Sequence, residues 1–101
     1  MRELVYFIGD MNHGPIKIGK SKDVYKRLKV LQTGNPSFLE ILGTKSGYPG
    51  LESKIHDKFK HLHIRGEWFS RGSDLLEYIG LELDYRENNR GYVRKWGKCL
   101  F

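Results

Sequence analysis

Two short apolar runs with a dense turn between them constrain this chain more than any other feature. Leu4-Val5-Tyr6-Phe7-Ile8 is rich in β-branched and aromatic residues, and the turn formers Asn12-His13-Gly14-Pro15 follow it closely. Residues 16–19, Ile16-Lys17-Ile18-Gly19, then resume the pattern. A strand over 3–8, a turn and a returning strand over 16–19 predict an antiparallel hairpin.

The next segments predict helices and one further strand. Ser21 or Asp23 can cap a helix over about 23–33, where Val24, Leu28 and Leu31 recur at i, i+4 and i+7 as one apolar stripe. Gly34 ends it, and Asn35-Pro36 forbid its return. Residues 37–45 read as a third strand and Gly47-Tyr48-Pro49-Gly50 as a turn. Leu51, Ile55, Phe59 and Leu62 predict a second helix over 51–62. Gly66 breaks the chain, Ser73 caps a third helix to Ile79, and Gly80 stops it. Leu81, Leu83 and Tyr85 alternate with polar residues, residues 87–91 read as a turn, and 92–96 can return as a second hairpin. The order β-β-α-β-α-α plus a tail predicts an α/β (α+β) domain. Its expected frame is a small three-stranded antiparallel sheet flanked by helices, with a C-terminal hairpin or tail.

At 101 residues one domain is expected. A chain this short buries only about 60–65% of its unfolded surface, so the core is modest. No apolar run approaches the ~20 residues of a membrane span. The N-terminus MRELVYFIGD lacks the pattern of a secretory signal. The single cysteine, Cys99, excludes an internal disulfide, and a cytoplasmic location is the simple expectation. Eighteen Lys and Arg against 12 acidic residues give a formal charge of +6. That suggests a polyanionic partner, nucleic acid first, with a merely soluble basic protein as the bland alternative.

Five residues carry candidate chemistry. Tyr6 shares a strand face with Leu4 and Ile8, where a tyrosine is more often half-buried packing than a reagent. Lys17 lies on the face opposite Ile16 and Ile18, and the hairpin can bring it near Tyr6. A lysine beside a tyrosine favours the phenolate, which can act as a base. Arg27 sits at the edge of its helix's apolar stripe, where it either snorkels or grips a phosphate bidentately. Glu52 flanks the stripe of Leu51, Ile55 and Phe59, with His56 one turn later on the same side. One carboxylate with phosphate oxygens and water makes an ordinary Mg²⁺ site. The alternative for Glu52 is a first-turn acid that complements the helix dipole. His56, His61 and His63 fit no common zinc spacing, and no cysteine is near them.

In order and spacing, these residues resemble the GIY-YIG nuclease superfamily over about residues 4–79. Val5-Tyr6-Phe7-Ile8 stands at the first tyrosine motif and Ile16-Lys17-Ile18-Gly19-Lys20-Ser21 at the second. Arg27 matches the arginine of the first helix, and Glu52 the metal-binding glutamate. Leu51-Glu52-x-x-Ile55-His56-x-x-Phe59, followed by Gly66-Glu67-Trp68-Phe69, is most similar to a phage- and virus-associated branch whose second motif often reads Lys-Ile-Gly. The resemblance implies single-metal phosphodiester hydrolysis. Glu52 would hold Mg²⁺ or Mn²⁺, Tyr6 would activate water, and Arg27 would stabilise the pentavalent phosphate. Two departures stand out. Lys17 replaces the second tyrosine, and Glu67 and Trp68 occupy the region of the family's late asparagine.

The expected division is a nuclease-like domain over 1–80 and a basic, aromatic extension of the same domain over 81–101. In the extension Arg86, Arg90, Arg94, Lys95 and Lys98 alternate with Tyr85, Tyr92 and Trp96. That suits phosphates and bases, and equally a hairpin or dimer contact with a solvated outer face. The reading that results is a metal-dependent endonuclease, on DNA rather than RNA, in the host cytoplasm if phage or viral. It has Tyr6, Lys17, Arg27, Glu52 and His56 as its catalytic set. Lys20, Lys22, Lys26, Arg94, Lys95 and Trp96 are its nucleic-acid contacts, no membrane is involved, and a homodimer is left open. A catalytically inactive nucleic-acid-binding module and a protein-inhibitor domain on the same fold are the alternatives. The catalytic five are expected to converge on one concave face, with Glu52 paired to Arg27 or His56.

Overall fold

The computed structural model describes residues 3–46, 48–83 and 92–94, with residues 82–83 and 92–94 described by their backbone alone. The expected hairpin is strand β1 (Leu4–Gly9) against β2 (Ile16–Ser21), antiparallel, with Tyr6 opposite Gly19 and Ile8 opposite Lys17. Helix α1 (Val24–Gln32) starts where the Asp23 carboxylate accepts the Lys26 N–H at 3.0 Å, satisfying one donor of the first turn. The Gln32 amide then ties the following loop, donating to the Ser37 carbonyl and accepting from the Leu39 N–H, each at 2.8 Å. Strand β3 (Glu40–Lys45) pairs antiparallel with β1 on its other side.

Helix α2 covers Leu51–Lys58, shorter than the predicted 51–62. The remainder is a single 3₁₀ turn over Lys60–Leu62. Residues at i and i+3 eclipse in a 3₁₀ turn, so Phe59 and Leu62 stay on the core side while the chain turns away. Two short strands follow, β4 (His63–Arg65) and β5 (Trp68–Phe69). The sheet is therefore five-stranded, in the order β3-β1-β2-β5-β4, where the sequence predicted three strands. Strands of two and three residues are too short to show a period. Helix α3 (Ser73–Ile79) is capped by Gly72 rather than Ser73, and ends at Gly80, whose φ of 99° suits a residue without a Cβ. A separate two-stranded hairpin joins β6 (Leu81–Leu83) to β7 (Tyr92–Arg94). The alternation at Tyr85 and the turn at 87–91 lie outside the described residues.

The sheet is covered on both faces. Val5, Phe7, Ile16 and Ile18 point to one side and form the main core with Ile55 and Phe59 of α2 and Leu75 and Leu76 of α3. Tyr6 and Ile8 point to the other, where α1 lays Val24, Leu28 and Leu31 over them. No helix among the described residues is long and apolar enough to cross a membrane.

Candidate active site

The site forms where the sheet stops on one side. Strand β5 pairs only with Ile16 and Lys17, so beyond them β2 has no strand partner on that side. The Ile18 N–H there donates to the Glu67 carbonyl at 2.9 Å. The Ile18 carbonyl accepts from Nε2 of His56, also at 2.9 Å. A carbonyl can only accept, so Nε2 carries the proton. With β5 ended, groups from the α1 face and from α2 can meet around this edge.

Tyr6 is the centre of the arrangement. Only 1% of it is exposed, and its ring crosses β2 over Gly19. A Cβ at position 19 would lie 2.5 Å from the phenol oxygen and 3.0 Å from Oε1 of Glu67. Glycine is what lets the ring cross there, and the phenol and carboxylate oxygens are close neighbours. Nε of the exposed Arg27 donates to the Tyr6 oxygen at 3.3 Å. Nζ of Lys17 lies 3.2 Å from Oε1 of Glu67 and 5.4 Å from the centre of the Trp68 ring. A chain of guanidinium, phenol, carboxylate and ammonium thus runs from α1 across β1 and β2 to the β4–β5 turn.

The charges around Tyr6 do not act as the sequence predicted. Burial pushes its pKa up, Arg27 pulls it down, and the charges of Glu67 and Glu52 push it up again, for a net rise. Lys17 faces Ile8 rather than Tyr6, and its ammonium is engaged by Glu67, so the expected lysine-favoured phenolate does not arise. Arg27 is held even more firmly protonated, by its bond to Tyr6 and then by the charge of Tyr6.

Glu52 lies in the first turn of α2, near enough for its charge to act on Tyr6. It is paired with neither Arg27 nor His56. Its Oε2 is buried and has no hydrogen-bond partner among the described residues. A buried carboxylate oxygen left in that state is costly unless something else fills the place. Mg²⁺ and Mn²⁺ sites that use one carboxylate plus substrate phosphates and water fit such an oxygen. No group of three or more His, Cys, Asp or Glu residues among those described is arranged to hold a metal ion. A cleft of about 220 Å³ beside it is lined by Lys20, Lys45, Tyr48 and Glu52.

The candidate set is therefore only partly gathered. Tyr6 and Arg27 touch, Lys17 joins them through Glu67, and Glu52 acts on Tyr6 by charge. His56 instead packs its ring edge-on to Phe69, with centroids 4.9 Å apart, and bonds the β2 backbone. It fastens α2 to the sheet. His61 bonds Asp74 and His63 bonds the Gly66 carbonyl, each at 2.8 Å, so the three histidines have separate partners. Lys20 lies exposed at the Glu52 cleft, and Lys22 and Lys26 lie exposed around the start of α1. Arg94 is described by its backbone alone, and Lys95 and Trp96 lie outside the described residues.

Two residues escaped sequence reasoning. Glu67 was noticed only as the occupant of another residue's place, and its partnership with Lys17 needed the unpredicted β5 to become visible. Arg71 secures the β1–β2 loop. Its guanidinium donates to the carbonyls of Asp10, Met11 at 3.2 Å, His13 at 2.9 Å and Gly14 at 3.1 Å. Contacts to backbone carbonyls leave no signal in the sequence.

Residues 3–88 match the family model of the T5orf172 domain. That domain is associated with the GIY-YIG/HNH-like nuclease superfamily. The match includes the whole site and runs past residue 79, where the sequence resemblance ended. Comparison with curated proteins and with solved structures gives no match.

Proposed function

The chain belongs to the T5orf172 domain family, and on that premise we propose that it is a metal-dependent endonuclease cleaving phosphodiester bonds of nucleic acid, DNA first. The observation that carries this is the buried, unpartnered Oε2 of Glu52 beside a phenol already gripped by an arginine. A buried carboxylate oxygen and an arginine that both act on one phenol are groups that a phosphate with its counter-ion would bring together. The Lys-Ile-Gly of residues 17–19 is what supports the finer placement in a phage- and virus-associated branch.

In this reading Glu52 holds Mg²⁺ or Mn²⁺, which when bound supplies a Lewis acid for the phosphate. Arg27 spends Nε on Tyr6 and keeps its remaining donors for non-bridging phosphate oxygens. Tyr6 holds Arg27 in place at the edge of the sheet. Lys20, Lys22 and Lys26 meet flanking phosphates, with a salt dependence set by how many they neutralise.

Plasmid cleavage by the full chain tests the reading. Supercoiled DNA should be nicked or cut with Mg²⁺ or Mn²⁺ and stay intact with EDTA. Glu52→Gln should lower the rate by at least ~100-fold, with thermal stability unchanged or raised, because a buried carboxylate with an unpartnered oxygen is gone. Cleavage by no metal, or full activity in Glu52→Gln, sinks the proposal. Salt-sensitive binding without cleavage would assign the chain to an inactive nucleic-acid-binding module.

A further inference from the structure

Hydrolysis needs a group to take the proton of the attacking water, and Tyr6 is badly placed to be it. The phenol is almost fully buried, its oxygen is covered by Arg27, and its raised pKa keeps it protonated near neutral pH. Lys17 is an ammonium held in an ion pair. His56 gives its Nε2 hydrogen to Ile18 and packs against Phe69. Glu52 is spoken for by the cation it would hold. What remains is the carboxylate that adjoins the phenol.

We propose that Glu67 is the proton acceptor of this site and that Tyr6 is a positioning residue. The inference rests on the endonuclease reading. The Glu67 side chain is 39% exposed, so water reaches it where it cannot reach the phenol. Lys17 at 3.2 Å holds its Oε1, which lies on the same side of Gly19 as the Tyr6 phenol. Carboxylates are ionised at neutral pH and accept protons without first losing one.

The step balances as follows. One O–H bond of water breaks as its oxygen bonds to phosphorus, and that proton passes to a carboxylate oxygen of Glu67. The bond from phosphorus to the leaving alcohol oxygen breaks, its electron pair stays on that oxygen, and a proton from bulk water neutralises it. Glu67 then returns its proton to solvent. Among the described residues, the charged groups around Glu67 are Lys17 on β2 and Arg27 on α1, and the titratable phenol is Tyr6 on β1. Glu52 on α2 acts on the same phenol, and on the β4 side His63 bonds the Gly66 carbonyl.

The two candidate bases give opposite results in one variant. Glu67→Gln removes a negative charge beside Tyr6, so the phenolate forms more easily. If Tyr6 were the base, neutral-pH cleavage would hold or rise. If Glu67 is the base, kcat should fall by ~100-fold or more with KM little changed. The variant's pH profile should also lose its acid limb. Absorbance titration, with Tyr6→Phe as the blank, should find the Tyr6 pKa lowered in Glu67→Gln, a readout that needs no turnover. If Glu67→Gln does not fold, the wild-type profile decides instead. A rate climbing through the carboxylate range supports the assignment, and a rate climbing only near the tyrosine range overturns it. Active wild type with an equally active Glu67→Gln overturns this inference alone. Inactive wild type overturns the endonuclease reading and this assignment with it.

Discussion

The two faces of the central sheet bury different things. Among the described residues, the core that α2 and α3 share with the sheet has eleven buried apolar members, with Phe7, Phe59 and Tyr78 in edge-to-face contact. The cluster that α1 shares with the sheet has four, and one of those is Tyr6. The first face follows the ordinary rule of apolar burial, and its aromatic pairs add to it. The second gives one of its two best-buried places, beside Ile8, to a phenol whose hydrogen bond, at 3.3 Å, exceeds the usual range. A ring of half-buried leucines and Ile41 surrounds it instead of a closed core. One face holds the fold together, and the other is arranged around polar groups at the edge of β2. The candidate site draws Tyr6 and Arg27 from the α1 side and Glu52 from α2 on the other, so it lies where the two faces meet rather than inside either core.

The sharpest way to break that contrast is to truncate one residue on each face. Phe59→Ala, in the main core, should cost about 3–5 kcal/mol, a large share of a small domain's stability. Leu28→Ala, half-buried under α1, should cost less than ~2 kcal/mol. Urea midpoints for both would settle it, and equal losses would mean that α1 covers a true second core.

A finer comparison uses two glycines. At Gly19 a Cβ would meet a rigid, buried tyrosine at 2.5 and 2.6 Å, and it has no way out. At Gly43 its nearest contact would be a methyl of the half-buried Ile79, at 2.9 Å. Gly19→Ala should therefore cost ~1–3 kcal/mol and depress cleavage by displacing Tyr6, whereas Gly43→Ala should cost less and leave cleavage alone. Equal stability losses with intact cleavage in both would show that Tyr6 is not pinned as described.

The smallest effect is with alkali. Tyr6 has a pKa raised by burial in the folded chain, so the folded state holds its proton more tightly than the unfolded state. The stability this contributes is complete below the ordinary tyrosine value of about 10, and it drains away as pH rises through the higher folded value. Denaturant midpoints taken across that range should fall for wild type and fall less for Tyr6→Phe. Identical slopes would remove Tyr6 as the buried titrating group of this face.

Much of the frame was legible because it is local. The β-branched and aromatic run around Tyr6, the turn at 12–15, the 3.6-period stripe of Val24, Leu28 and Leu31, and a cap at Ser21 or Asp23 all act within a few residues. The sequence alone therefore determined β1, β2, α1, β3, the α2 stripe and α3, and so the α+β class. It also set Tyr6 and Arg27 on elements able to meet, because strand and helix periods fix which side each residue takes. What it could not carry were contacts made across long separations by segments too short to have a period. Strand β5 is two residues long, yet its end leaves β2 without a strand partner on that side and its turn delivers Glu67 to Lys17. The bond from His56 to the Ile18 carbonyl has no sequence signal, because only the folded chain puts that carbonyl within its reach. Strand alternation can bring Lys17 near Tyr6, but the register sets it opposite Ile8, two pairs along from Tyr6 and Gly19. Which polar groups share a proton, a charge or a ligand is settled at ångström distances between residues dozens of positions apart. Periodicity fixes the side of an element a residue occupies, and only tertiary packing fixes its neighbour.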